Sequence, residues 1–141
     1  MKRTIERSYP YAGAVAAAAG YYYGGFSFPK GQDILSASIT IGAIFTGFLA
    51  TSKSLIISID TPAMTELRKT RFFDLMMQYL REALYASLLL GSFGIAGFFY
   101  DHQSPPRWYG VVWIFLIIST FLTFIRVTNA FLELIQSRKK G

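Results

Sequence analysis

The chain has 141 residues, a formal net charge of +6 and no cysteine; 52% of its residues are hydrophobic and 16% are charged. A soluble domain normally has about a quarter charged residues, so this composition disfavours an ordinary soluble domain. The absence of cysteine excludes disulfides, thiol catalysis and thiolate metal sites.

Four long windows of the sequence contain no charged residue. They are 22, 19, 18 and 18 residues long, and a membrane-spanning helix needs roughly 17–25 apolar residues. We therefore predict an all-α, polytopic membrane protein with four transmembrane helices, organised as a single domain over residues 1–141. The expected spans are 9–28, 34–58, 80–100 and 108–130.

Basic residues are distributed unequally among the segments that connect the predicted spans. Twelve Lys and Arg residues flank the side that carries both termini and the second connection, whereas the two other connections carry only Lys30 and Arg107. Because cytoplasmic flanks accumulate Lys and Arg, both termini are predicted to be cytoplasmic. Aromatic residues at the outer ends of the spans agree with this orientation, since amphipathic rings favour the headgroup level. They are Tyr21, Tyr22, Tyr23, Phe26, Tyr100, Trp108, Tyr109 and Trp113.

Small residues dominate the first span. Ala16, Gly20 and Gly24 repeat at four-residue spacing, which lets membrane helices approach closely, so we expect this helix to pack against protein. A gating role is the alternative. The segment also resembles a secretory signal, because basic residues within 2–7 precede an alanine-rich run at 14–19. We expect it to be retained as the first helix.

A stripe of small and hydroxyl-bearing residues follows one face of the second span. Its members recur at steps of three and four residues: Ser36, Thr40, Ala43, Gly47, Ala50, Ser54 and Ser58. Such a stripe is most often a packing surface between helices, in which each interhelical hydrogen bond contributes about 0.6 kcal/mol. The alternative is that it lines a narrow water path in an oligomer.

The connection at 61–79 is predicted to be an amphipathic cytoplasmic helix. Asp60 or Thr61 can cap its start, and Pro62 fits its first turn. Apolar and charged residues then separate onto two faces, which is typical of an interfacial segment, and this segment is predicted to run into the third span. A solvated cytoplasmic extension and contact with anionic lipids are both compatible with this pattern.

The fourth span has a polar line of its own, which includes Ser119, Thr123, Arg126 and Glu133. Its lower part, from Val127 onward, is predicted to continue toward the cytoplasm as an amphipathic helix.

Four ionisable residues share one predicted depth, at the inner edge of the hydrocarbon: Lys53, Arg81, Glu82 and Arg126. At 1.5 Å per residue they lie about 27–29 Å below the outer interface. Lys53 is expected to snorkel into the headgroups. For Arg126, snorkelling and a cross-helix ion pair with Glu82 are both open. In an oligomer these residues and Glu133 would form rings of charge that gate or select ions.

The sequence contains no pattern of a catalytic, metal or cofactor site. His102 stands alone in a predicted outer turn, without a second ligand of the usual type. A phosphate-binding glycine loop, an HExxH motif and paired catalytic carboxylates are all absent from the sequence. We expect no enzyme activity, no metal, no cofactor and no nucleic-acid partner.

Gly47–Phe48–Leu49–Ala50, the basic connection after it, and Tyr79–Leu80 at the start of the third span resemble a family of small bacterial four-helix membrane proteins. This family is typified by RexB, the membrane component of a phage-exclusion system. The resemblance covers length, number of spans and the layout of spans two and three. It implies an inner-membrane effector that permeabilises or depolarises the membrane when a partner triggers it, and it transfers no functional residue.

Two functions from different classes follow. The first is an oligomeric channel or pore-like effector in the bacterial inner membrane, in contact with lipids and acting in phage defence. The second is a structural membrane subunit that anchors a cytoplasmic or membrane partner through the basic connection and tail. A small-solute transporter is disfavoured, because the spans show no inverted pair of broken helices and no mid-membrane charge.

Overall fold

A computed structural model of the chain describes residues 2–29, 32–100 and 105–139. As predicted, the fold is all-α, and the described residues contain no β-strand. The helices are α1 (Lys2–Tyr23), α2 (Asp33–Ser58), α3 (Pro62–Arg68), α4 (Arg71–Gly97) and α5 (Arg107–Lys139). Lys30, His102 and Lys140 lie outside the described residues.

The four long helices lie side by side, with α4 and α5 in the centre. α2 packs against α4, and α1 packs against α5. Hydrogen bonds from Thr120 to Ala86 and from Tyr109 to Phe93 show that α4 and α5 are antiparallel. We call the end that contains α3 the basic end, and the opposite end, where Tyr109 lies, the aromatic end. The first residues of α1 and the last residues of α5 both lie at the basic end.

Two helices are long and apolar enough to cross a membrane. They are Asp33–Ser58 and the segment Arg107–Leu134 of α5. The 26 residues of α2 extend about 39 Å, which exceeds the roughly 30 Å thickness of the hydrocarbon core. α1 is rich in alanine, glycine and tyrosine, and α4 starts with a charged segment. Two of the four predicted spans are therefore candidate membrane spans by length and composition.

The boundaries of α1 differ from those predicted for the first span. The helix begins at Lys2 and contains Pro10, whereas the span was expected to begin at residue 9. It ends at Tyr23 rather than at residue 28. The physical reason is the following turn, in which Gly25 adopts a positive φ of 67° that glycine tolerates without a steric penalty.

The predicted amphipathic connection forms two helices instead of one. α3 begins where the sequence indicated, because Thr61 accepts a hydrogen bond from the Met64 amide at 3.3 Å and Pro62 occupies the first turn. α3 ends at Arg68, and the Thr70 hydroxyl caps the start of a new helix by accepting a hydrogen bond from the Phe73 amide. The second half of the connection is therefore the start of α4.

Apolar side chains form two clusters, one near each end of the bundle. At the basic end the cluster joins α2, α4 and α5. Its buried members are Leu49, Ile56, Met76, Tyr79, Leu80, Ala83, Val127 and Ala130. At the aromatic end, Leu35, Tyr109 and Trp113 are buried together. The apolar core thus depends mainly on the two central helices and α2.

Candidate functional site

Glu82 on α4 and Arg126 on α5 form an ion pair at the basic end. The Arg126 Nη2 atom donates to the Glu82 Oε2 atom at 2.6 Å. Only 2% of the Arg126 side chain and 18% of the Glu82 side chain are exposed. Of the two alternatives that the sequence left open for Arg126, the structure shows the cross-helix ion pair rather than snorkelling.

Two aromatic side chains complete the charged cluster. The Arg126 guanidinium lies 4.1 Å from the centroid of the Tyr79 ring, where it gains a cation–π attraction. The Tyr11 hydroxyl of α1 donates to Glu82 Oε2 at 3.4 Å. The cluster therefore connects α1, α4 and α5. Neither Tyr11 nor Tyr79 was predicted to take part, because their positions on separate helices give no signal in the sequence.

The polar line of α5 is buried inside a single chain. Ser119, Thr123 and Arg126 are each no more than 3% exposed. The Thr123 hydroxyl donates to the Ser119 and Thr120 carbonyls of its own helix, and the Thr120 hydroxyl donates to Ala86 of α4 at 3.2 Å. Glu133, further along α5, is exposed. This burial gives the line a role in holding α5 within the bundle.

Lys53 and Arg81 share the predicted depth of the ion pair but lie apart from it. Arg81 is exposed on α4. Lys53 is partly buried and lines an open groove of about 420 Å³ between α2 and α4. We call this the Lys53 groove; its residues are Ala50, Lys53, Ser54, Ile57, Ser58 and Leu84. The predicted charge layer thus divides into a buried pair and two separate cations.

The small and hydroxyl-bearing stripe of α2 is exposed on one side of the helix, and its last part, from Ala50 to Ser58, borders the Lys53 groove. All seven of its residues are exposed. The buried residues of α2, which include Ser38, Gly42 and Leu49, lie on the other side of the helix. Thr40 donates its hydroxyl to the Ser36 carbonyl at 2.9 Å, within the same helix. The stripe is therefore a continuous exposed surface in the single chain.

The small residues singled out on α1 and α2 do not form the close contacts between helices within the chain. Ala16, Gly20, Gly24 and Gly47 are all exposed, and a Cβ at Gly20 or Gly47 would meet nothing within 4 Å. α1 instead buries Ala14 and Ala18. α1 packs against α5 as expected, but through the face next to the repeat, and the packing of the repeat at 16, 20 and 24 against protein stays a prediction.

Two other glycines bring α2 and α4 into backbone contact. A Cβ at Gly42 would lie 2.8 Å from both the Gly91 amide nitrogen and the Ser87 carbonyl oxygen. A few residues away, the Thr46 and Ser87 hydroxyls are 2.9 Å apart and share a hydrogen bond. The sequence contains these glycines but did not distinguish them from the exposed ones, because their partners lie on another helix.

Two of the aromatic residues that were predicted at the outer ends of the spans are buried in the core. Tyr109 is 1% exposed and donates its hydroxyl to the Phe93 carbonyl at 2.8 Å. Trp113 is 7% exposed and donates its indole N–H to the Ser38 hydroxyl at 2.8 Å. Both rings are thus buried inside the bundle, and their depth at the headgroup level stays a prediction. Trp108, by contrast, is 53% exposed.

Comparison with known proteins adds no relative to this geometry. No protein-family model, no curated protein and no solved structure matches the chain.

Proposed function

We propose that the protein is an oligomeric membrane channel whose protomers meet along the part of the exposed α2 stripe that runs from Ser36 to Gly47. The observation that carries this proposal is the position of the stripe. Seven small or hydroxyl-bearing residues, from Ser36 to Ser58, are exposed on one side of α2 while its other side is buried against α4. α2, which is apolar enough to cross a membrane, thus has an outer face whose side chains are neither large nor strongly apolar.

Physical chemistry favours a second protein surface over lipid as the neighbour of the stripe between Ser36 and Gly47. Small residues allow helix backbones to approach closely, and this close packing drives the association of helices in membranes. Large apolar side chains flank the stripe and suit contact with acyl chains. Ile44, Phe48 and Leu55 are between 55% and 61% exposed. The stripe and its flanks therefore fit an interface bordered by lipid.

The membrane arrangement that we propose has four spans, with both termini in the cytoplasm of a bacterium. Its support is the gathering of basic residues at one end of four parallel or antiparallel helices. α1 and α4 would cross the bilayer alongside α2 and α5. Phage defence, which the RexB-like resemblance implies, is the setting that we propose for this activity.

Conduction would follow the same stripe. The Thr40 hydroxyl of the stripe donates to the Ser36 carbonyl at 2.9 Å, and the exposed Thr51 hydroxyl, beside the stripe, donates to the Gly47 carbonyl at 2.8 Å. Each oxygen keeps lone pairs that can accept hydrogen bonds from water. When copies of α2 surround an axis, these oxygens would provide a narrow polar lining. The buried polar line of α5 would support the bundle rather than line the path.

The proximity of protomers can be tested with single cysteines, because the chain has none of its own. Ala43→Cys should form disulfide-linked dimers in mildly oxidised membranes. Leu89→Cys is the matched control, since Leu89 is 57% exposed on α4 but lies outside the stripe. Cross-linking of the control alone, or of neither variant, would contradict the assignment of the interface.

Ion flux from liposomes tests the channel itself. The wild-type protein should release trapped ions, and Gly47→Leu should reduce both assembly and flux, because a bulky side chain separates the helices. Gly47→Ala is the control and should retain both. Wild-type protein that assembles but conducts nothing would refute the channel.

That last outcome would favour the structural-subunit function instead. Lys69, Arg71 and Arg81 are exposed at the basic end, where they can bind an acidic partner protein. In that case the α2 interface would remain, and the oligomer would serve as an anchor.

A further inference from the structure

The Lys53 groove combines an apolar wall with a cation. Ala50, Ile57 and Leu84 contribute the apolar surface, and Lys53 lies at one side of it. The groove is open to the surroundings of the bundle and faces outward between α2 and α4. A ligand can therefore reach it from the membrane without any opening of the helices.

Lys53 has no hydrogen-bond or ion-pair partner among the described residues. The carboxylate of Glu82, at a similar predicted depth, already accepts from Arg126 and Tyr11. An ammonium group at the edge of the hydrocarbon is costly unless an anion or water accompanies it. The chain itself thus leaves the charge of Lys53 to be neutralised by something outside it.

We propose that the Lys53 groove binds one anionic phospholipid of the inner leaflet. Lys53 lies 20 residues after Asp33, about 30 Å along α2, so its side chain reaches the level of the phosphates. The phosphate contacts the Lys53 ammonium, with the Ser54 hydroxyl beside it, and an acyl chain lies along Ile57 and Leu84. Basic pockets between membrane helices on the cytoplasmic side recognise anionic headgroups in this way.

The apolar wall identifies a lipid rather than a free phosphate as the occupant. A soluble anion would gain the charge of Lys53 but would leave Ala50, Ile57 and Leu84 uncovered. A phospholipid satisfies both parts of the groove.

Ala50, Ser54 and Ser58 belong both to the groove and to the stripe of α2. The lipid therefore covers the part of the stripe beyond Gly47, which the proposed protomer interface leaves free. The proposal rests on the proposed membrane position of α2 but requires neither ion conduction nor self-association.

Native mass spectrometry of the full chain in non-ionic detergent can test the site, with phosphatidylglycerol and phosphatidylcholine as probes. The wild-type protein should retain one phosphatidylglycerol per chain, with about a fivefold preference over phosphatidylcholine, as expected for one basic residue near the headgroups. Lys53→Gln should abolish this preference, and Lys53→Arg should keep it. Arg81→Gln is the control, since it removes the same charge from an exposed position outside the groove, and it should keep the preference.

Three results would overturn the proposal: no preference in the wild-type protein, equal losses in Lys53→Gln and Arg81→Gln, or full displacement of phosphatidylglycerol by inorganic phosphate. The last would indicate a simple anion site. Leu84→Trp should fill the groove and reduce retention of both lipids, while unfolding is monitored by circular dichroism. The native mass spectra also give the number of subunits. A monomeric wild-type protein that binds the lipid would refute the proposed channel and leave this site intact.

Discussion

Removing the charge of Arg126 should lower the free energy of unfolding far more than removing the charge of Arg81. Arg126 is 2% exposed, lies 2.6 Å from Glu82 and stacks on Tyr79. Arg126→Gln leaves the Glu82 carboxylate without its cation, and breaking a buried ion pair from one side costs about 3–5 kcal/mol. Arg81→Gln changes the same charge at an exposed neighbouring position and should alter the free energy of unfolding by less than about 0.5 kcal/mol.

Reversible unfolding of both variants in mixed detergent micelles, followed by circular dichroism, measures this difference. A loss of 3 kcal/mol reduces the ratio of folded to unfolded protein by at least about a hundredfold, since each 1.4 kcal/mol is a factor of ten. Two double variants show whether charge or shape is responsible. Glu82→Arg with Arg126→Glu should recover part of the loss. Glu82→Leu with Arg126→Leu should be less harmful than either single change, because it leaves no charge unpaired.

Equal stability of Arg126→Gln and Arg81→Gln would refute this reasoning. It would mean that Glu82 finds water or another cation as soon as Arg126 is removed, so that the pair contributes little to the fold. A loss of stability in Arg126→Gln that the exchanged pair does not relieve at all would assign the effect to packing on Tyr79 instead.

The remaining predictions concern contacts between helices, each measured by the same unfolding assay. Gly42→Ala should lower the free energy of unfolding by about 1–3 kcal/mol, because the new Cβ overpacks the backbone of α4. Gly47→Ala is the control; it adds a Cβ where the space is open and should be neutral or stabilising. Equal losses in the two variants would contradict the proposed close contact at Gly42. Ser38→Ala should cost about 1–3 kcal/mol, because it leaves the buried Trp113 indole N–H without its acceptor. Ser36→Ala is the exposed control and should stay within about 0.5 kcal/mol of the wild type.

The sequence predicted the positions of the helices and the depth of the charged residues better than the faces through which the helices pack. Charge-free windows located all four long helices, and the rise per residue placed Glu82 and Arg126 at one level, which is the condition for their ion pair. The break at Thr70 was missed, since the apolar face of the connection continues across it. Local patterns thus predict periodicity and depth but not a single interruption.

Neighbouring helices decide which small residues are buried, and a single sequence does not contain that information. The repeat of Ala16 and Gly20 has the same spacing as a packing motif, yet it is exposed. Gly42 lies against the backbone of α4 because Gly91 occurs opposite it. The same limit applies to the two polar lines, since hydroxyls of similar spacing lie on an exposed face of α2 and on a buried face of α5.

Block of ion flux by a charged thiol reagent tests the central claim, a conducting path along α2, most directly. Gly47→Cys places a thiol on the stripe, and Leu89→Cys places one outside it. The two positions have similar predicted depths, about 20 and 17 Å from the outer ends of their spans. In proteoliposomes that conduct before treatment, a membrane-impermeant methanethiosulfonate reagent should stop flux through Gly47→Cys and leave flux through Leu89→Cys unchanged. Undiminished flux through Gly47→Cys would contradict a water-filled path at this face.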